Sequence, residues 1–253
     1  MILDSFSLEG KVAIVTGCSM GLGQGMALAL AEAGANIVGV DYVEGDETKA
    51  LVEGLGKEYL HVQANLMVTD ELTNIVEKGV AKFGHIDILV NNAGTIRREN
   101  AIDFSEKDWD DVMNLNSKTV FFFSQACAKQ FIKQGTGGKI VNIASMLSFQ
   151  GGIRVPSYTA SKSAVMGITR AMANEWAKDN INVNAIAPGY MATANTAPLR
   201  ADKERAAAIL ERIPADRWGL PKDLAGPIVF LASDASSYVN GYTVAVDGGW
   251  LAR

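Results

Sequence analysis

The sequence predicts an α/β fold, a parallel sheet of seven strands with helices on both faces. Short apolar, β-rich runs alternate with longer helical patterns along the whole chain, as βαβ units require. The runs read as buried strands, which a sheet covered on both sides demands. At 253 residues and 48% hydrophobic, the chain is long and apolar enough to bury a large core. No linker, low-complexity tract or solenoid repeat interrupts it, so residues 1–253 read as one domain.

KVAIVT (11–16) is the first strand, followed by a glycine-rich turn and the Ala-rich helical run MALALAEAGA. NIVGVD (36–41) is the second strand, followed by the helical DETKALVEGL. YLHVQA (59–64) and IDILVN (86–91) flank a helical pattern over 70–83. Ser105 with Asp108 resembles a capping box that opens a helical region running, with room for a break, to Gln134. GKIVNIA (138–144), NVNAIA (182–187) and YTVAVD (242–247) complete the strands. The segment 191–216, rich in Ala, Thr and charge, stands outside the alternation and is expected to be a substrate lid.

A net charge of −5 and pI near 5.2 argue against a general nucleic-acid or anionic-membrane surface. Two distant cysteines, Cys18 and Cys127, suggest neither a disulfide framework nor a metal knuckle. His61 and His85 are too few for a histidine-based zinc site, so no metal is expected. The N-terminus lacks signal-peptide character and no apolar run approaches a membrane span. A soluble, reducing, cytoplasmic setting is expected.

TGCSMGLG (16–23) joins the first strand to the first helix. Its glycines, at 17, 21 and 23, depart from GxGxxG spacing but can still make a tight turn and aim helix N–H groups at a pyrophosphate. A purely structural glycine turn is the bland alternative. Asp41 ends the second strand, near the offset at which an acid accepts hydrogen bonds from an adenosine ribose. A carboxylate there repels a 2′-phosphate, and Ser19, Met20 and Tyr42 supply no cation, which favours NAD over NADP. NNAG (91–94) and APGYMAT (187–193) follow the fourth and sixth strands, where turns can line a ligand crevice. Asn116 is a poor helix former within a helical region and is either idle or the mark of a local break. Ser145 follows the fifth strand, and Tyr158 and Lys162 lie one helical turn apart on one face. A phenol beside an ammonium suits proton transfer; an exposed Tyr with a Lys stem across its ring is the plain alternative.

Taken together, Thr16–Gly17–x3–Gly21–x–Gly23, Asn91–Asn92–Ala93–Gly94, Asn116, Ser145, Tyr158–x3–Lys162 and Pro188–Gly189 stand in the order and spacing of the short-chain dehydrogenase/reductase family, which the whole chain resembles. The resemblance implies a Rossmann-type doubly wound sheet and NAD-dependent hydride transfer. It also implies roles. Tyr158 is the general acid–base, Lys162 lowers its pKa and holds the nicotinamide ribose, Ser145 positions the reacting oxygen, and Asn116 holds a water in a proton relay. Gly17, Ser19, Met20, Gly21, Leu22, Asp41, Asn92, Ala93, Gly94, Pro188, Gly189 and Thr193 contact the dinucleotide. Many members carry Asp–Val or Asp–Leu after the third strand; Asn65–Leu66 stands there in this chain and is kept as a weaker contact.

Longer stretches, among them GHIDILVNNAGTIRRE, SEKDWDDVMNLN and YVNGYTVAVDGGWLAR, resemble members acting on deoxy sugar acids. That implies reversible keto reduction in pectin or uronate breakdown, and a homotetramer. A carboxylate substrate wants a guanidinium fork. Arg154, four residues before Tyr158, is the first candidate, with Gln150 for a hydroxyl and Arg97–Arg98 as rivals; surface or intersubunit arginines are the alternative. Tyr190 and Trp218 are pocket or core, and His85 is expected to cap a turn. Competing functions are a β-ketoacyl carrier-protein reductase, a general sugar dehydrogenase, or a non-catalytic NAD-binding sensor or scaffold; the last expects a gap among Asn116, Ser145, Tyr158 and Lys162, and none is missing.

Overall fold

The computed structural model describes all 253 residues. Seven strands are present: β1 Val12–Thr16, β2 Asn36–Asp41, β3 Tyr59–Gln63, β4 Ile88–Asn91, β5 Gly138–Ile143, β6 Ile181–Pro188 and β7 Thr243–Val246. They form one parallel sheet in the order β3-β2-β1-β4-β5-β6-β7. Each expected strand is found, with ends moved by no more than two residues. The helices are α1 Gly21–Glu32, α2 Asp46–Gly54, α3 Leu72–Phe83, α4 Glu106–Met113, α5 Thr119–Gln134, α6 Pro156–Trp176, α7 Ala197–Ala201, α8 Lys203–Arg212 and α9 Ala225–Ala232. None is long and apolar enough to cross a membrane.

The strand pleat divides the core. Ala13 and Val15 of β1 face a cluster built with Met26 and Leu30 of α1 and Ile228 and Leu231 of α9. Val12 and Ile14 face the other side, against Ile75 and Val76 of α3 and Phe123 and Phe131 of α5. Alternate residues of one strand thus serve two helical layers, which accounts for the uninterrupted apolar runs.

The strand order reverses at β1, which lies between β2 and β4. Connections leave in opposite directions there, opening a crevice at the carboxyl edge of the sheet, where open α/β sheets bind ligands. His85 sits at the other edge, its Nε2 3.1 Å from the Gly10 carbonyl and 3.1 Å from Asp87, in the turn-capping position expected.

The helical region from Ser105 is capped on one side only: Ser105 Oγ accepts from the Asp108 N–H at 3.1 Å. Its break is a π-turn, Asn114–Lys118, between α4 and α5. The segment 191–216 carries a 3-10 turn, α7 and α8. Met191 pairs with Gly219, so the segment leaves the body and returns at one point.

Candidate active site

A cleft of about 980 Å³ runs along the carboxyl edge. Its β1 end is made by Gly17, Met20, Gly21, Leu22, Gly23 and Asp41. Gly17 and Gly21 adopt φ of 63° and 64°, in the left-handed region where a side chain is strained. Gly23 is fixed by space: a Cβ there would lie 2.0 Å from the Gly17 carbonyl oxygen and 2.5 Å from Asn92 Nδ2. Close approach of the turn to α1 leaves the first N–H groups of that helix facing the cleft, with no acidic side chain in the first turn.

Thr16 ties this turn to the β4 loop. Its hydroxyl accepts from the backbone N–H groups of Asn92 and Ala93, both at 2.9 Å, while Asn92 Nδ2 donates to the Thr16 and Gly17 carbonyls at 2.8 and 3.0 Å. Asp41 is held in the same way. Oδ2 accepts from the Ser19 N–H at 3.0 Å and Oδ1 from the Tyr42 N–H at 2.7 Å. The carboxylate is thereby aimed across the turn, and no cation lines that end. A glycine cradle, helix N–H groups and a fixed acceptor carboxylate fit a dinucleotide.

At the other end Ser145, Tyr158 and Lys162 line one wall. Ser145 caps a 3-10 turn, its Oγ accepting from the Leu147 N–H at 3.1 Å. One lone pair is thus engaged while the hydroxyl proton is left to donate into the cleft. Pro156 begins α6, at the position where its missing N–H costs nothing, and this places Tyr158 in the first turn. Lys162 follows one turn later, 4% exposed, its Nζ donating to the Ile143 carbonyl at 2.6 Å and lying 5.7 Å from the Tyr158 ring centroid. Burial lowers its pKa to about 8.

The phenol of Tyr158 departs from expectation. Burial raises its pKa above the ordinary value, opposed by the Ser145 hydroxyl and the charge of Arg98. The Lys162 ammonium is bound by the Ile143 carbonyl at the end of β5 and not by the phenol.

Asn116 lies in the π-turn and is fully buried. Its Nδ2 donates to the Thr95 carbonyl at 2.9 Å and the Ser161 hydroxyl at 3.1 Å, and its Oδ1 accepts from the Thr95 N–H at 2.8 Å. The side chain therefore stitches the β4 loop to α6, with one lone pair of Oδ1 left free.

Not every expected residue lines the cleft. Met20, Gly21, Leu22, Ala93, Gly94, Gly189, Thr193, Gln150 and Arg154 do. Ser19 and Pro188 are buried beside it, Leu66 packs in the core, and Asn65 is exposed with its Oδ1 taken by the Met67 N–H. Arg97 is turned away toward Asp108 and Asp111, whereas Arg98 lines the cleft. Arg154 adopts φ of 62°, uncommon for a residue with a side chain, and its guanidinium reaches Glu99 at 3.5 Å. Tyr190 lines the cleft, packed edge-on to Trp218 behind it. Two lining arginines escaped the sequence reading, Arg205 and Arg212 of α8. Their spacing of seven on a helix, with Ile209 buried between them, was the available signal.

A family model described as enoyl-(acyl carrier protein) reductase matches residues 17–251. The chain is 73% identical over 253 residues to 2-dehydro-3-deoxy-D-gluconate 5-dehydrogenase of Escherichia coli K12, covering all of both chains. It is 42% identical to the 3-oxoacyl-[acyl-carrier-protein] reductase of Thermotoga maritima, over 96% of this chain and 98% of that protein. Among solved structures, a gluconate 5-dehydrogenase from Burkholderia cenocepacia in complex with NADP and tartrate superposes with a TM-score of 0.95 at 37% identity, covering 100% of each chain.

Proposed function

The chain belongs to the short-chain dehydrogenase/reductase family, and on that premise we propose that it reversibly reduces a keto group of a deoxy sugar acid with NADH. The substrate pair is 2,5-diketo-3-deoxygluconate and 2-keto-3-deoxygluconate, as expected of an enzyme of uronate and pectin breakdown. Convergence of Ser145, Tyr158 and Lys162 on one wall of a cleft with a dinucleotide cradle carries the reading. Near-identity of length and 73% identity with the Escherichia coli dehydrogenase support the substrate.

Gly17, Met20, Gly21 and Leu22 would hold the pyrophosphate, Asp41 the adenosine ribose, Asn92 to Gly94 the middle of the molecule, and Gly189 and Thr193 the nicotinamide. The bound dinucleotide supplies the hydride in reduction and accepts it in oxidation. In reduction the Tyr158 hydroxyl gives its proton to the carbonyl oxygen as carbon gains hydride, and Ser145 donates a hydrogen bond that keeps that oxygen in place. A phenol raised by burial holds its proton until an oxyanion develops, which suits it as the acid; the Lys162 ammonium, 5.7 Å from the ring centroid, would then stabilise the phenolate left behind. Asn116 acts as the clasp that fixes Thr95 and Ser161, with the opened π-turn backbone serving the proton path. The segment 191–216, hinged at Met191 and Gly219, closes over the substrate.

Asp41 and the absence of a cation beside it support NAD, although the Burkholderia cenocepacia relative was crystallised with NADP. The experiment is a steady-state comparison of NADH and NADPH, each with the diketo sugar acid and with an acetoacetyl thioester. Turnover confined to NADH and the sugar acid supports the whole reading. Preference for NADPH and the thioester replaces it by a carrier-protein reductase, the activity named for the Thermotoga maritima relative.

A further inference from the structure

One wall of the cleft carries positive charge to which the catalytic roles assign no task. Arg205, Ala208, Ile209 and Arg212 share one face of α8 and all line the cleft. Ile209 is 2% exposed and packs with Met146, Ile213 and Trp250, which turns this face of the helix toward the cleft. Arg212 is the best held of the cleft arginines. Its guanidinium lies 4.1 Å from the Trp250 ring centroid, and its Nη2 donates to Gln150 Oε1 at 3.3 Å. Trp250 is itself buried and packed edge-on to Tyr190 at 4.9 Å.

Arg212 has no acidic partner, whereas Arg97, Arg154 and Arg217 each pair with a carboxylate. Asp41 is the one acid among the lining residues. It ends β2, three strands from β5, about 14 Å at the usual strand separation. An unpaired guanidinium, stacked and oriented in a concave site, is arranged for a planar anion that arrives from outside.

Resting on the sugar-acid reading, we propose that Arg212 is the specificity-determining residue that receives the substrate carboxylate, with Gln150, bound to the same guanidinium, reading the neighbouring hydroxyl. Gln150 lies five residues beyond Ser145 on the same connection, so the pair is tethered close to the reacting carbonyl. Arg205 stands seven residues away, about 10 Å along the helix, too far to share the same carboxylate. It contributes a positive field to the cleft, as does Arg98, whose charge already acts on the Tyr158 phenol. Arg154, the arginine expected from sequence, is engaged by Glu99 and is left a lesser part.

The test uses Arg212→Met, Arg212→Lys and Arg205→Met in the full-length enzyme. KM and kcat are measured with the diketo sugar acid, and competition with D-gluconate and its neutral counterpart glucitol. Arg212→Met is expected to raise KM by about 10- to 100-fold, the worth of a charge-assisted hydrogen bond, with kcat and the NADH dissociation constant nearly unchanged. It is also expected to abolish the advantage of gluconate over glucitol. Arg212→Lys keeps the charge without the fork, so it retains part of that advantage and still raises KM; it carries the test should the methionine variant fail to fold. Arg205→Met is expected to change KM by no more than about threefold, the scale of an exposed charge. Unchanged KM in Arg212→Met, or equal losses for gluconate and glucitol, overturns the assignment while wild-type turnover leaves the sugar-acid reading standing. A wild-type enzyme that neither reduces the sugar acid nor prefers gluconate sinks that reading, and the Arg212 assignment with it.

Discussion

Lys162 buries its ammonium against the carbonyl of Ile143, 2.6 Å away, with no carboxylate in contact. A charge held in this way is poorly compensated, and its pKa falls to about 8 because burial disfavours the charged form. The protein accepts that cost where the proposed chemistry needs a cation beside a phenol.

Lys162→Met should therefore be more stable than the parent and nearly inactive. The depressed pKa corresponds to about 3 kcal/mol, from which the lost hydrogen bond subtracts about 1, leaving a gain on the order of 2 kcal/mol. For a chain of this size that is a rise of roughly 4–8 °C in melting temperature. The sign with pH follows from a base whose folded pKa lies below its ordinary 10.5. The cost is complete below pH 8 and is shed as pH rises toward 10.5, so the stability gap between variant and parent should close over that interval. Melting curves of both proteins from pH 7 to pH 10 check this; a gap that widens with pH contradicts it.

Asp41→Asn keeps the size and one acceptor of the side chain but removes its charge. Because nothing basic lines that end of the cleft, the variant should not gain strong NADPH binding, only lose the repulsion. A tenfold or larger drop in the NADH preference, about 1.4 kcal/mol or more, is expected from a charge pair near a protein surface. Fluorescence titration with both cofactors measures it, and an unaltered preference would assign cofactor choice elsewhere.

Gly23→Ala places a methyl 2.0 Å from the Gly17 carbonyl oxygen, so the turn or α1 must move. Overpacking of this kind costs about 1–3 kcal/mol. Cofactor affinity should fall further than stability, since the cradle is the part displaced. A variant with parental cofactor affinity would show that the turn adapts.

Asn116→Ala leaves the half-buried Thr95 N–H and carbonyl without their partner and removes a partner of the buried Ser161 hydroxyl. Half-buried groups at the cleft regain part of their bonding from water, so a loss of about 1–3 kcal/mol is expected by denaturant unfolding. If Asn116 served only to hold a water, stability would scarcely change.

The inner strands β1, β2, β4 and β6 were legible because they are buried on both faces and so read as apolar runs, and the cradle was legible because Gly17 and Gly21 take conformations that side chains resist. The substrate wall was not. Arg97 and Arg98 are neighbours in sequence, yet one is held outside by Asp108 and Asp111 while the other faces the cleft. Which way each turns depends on α4, a distant element. Arg205 and Arg212 were hidden for a related reason: a charged, Ala-rich helix reads as a solvated face until the fold turns one side of it toward the cleft. Lys162 misled more subtly, since the one-turn spacing to Tyr158 was right but the Ile143 carbonyl, not the phenol, holds its ammonium here.

Tyr158→Phe tests the central claim most directly, because it removes one oxygen from a side chain that already lines the cleft. Single-turnover hydride transfer and NADH binding should be measured on the same preparation. Loss of turnover by about 10²–10⁴-fold, the usual worth of a positioned acid–base group, with NADH affinity retained, is the predicted result. Turnover near the parental rate would contradict it and move the proton transfer to another group.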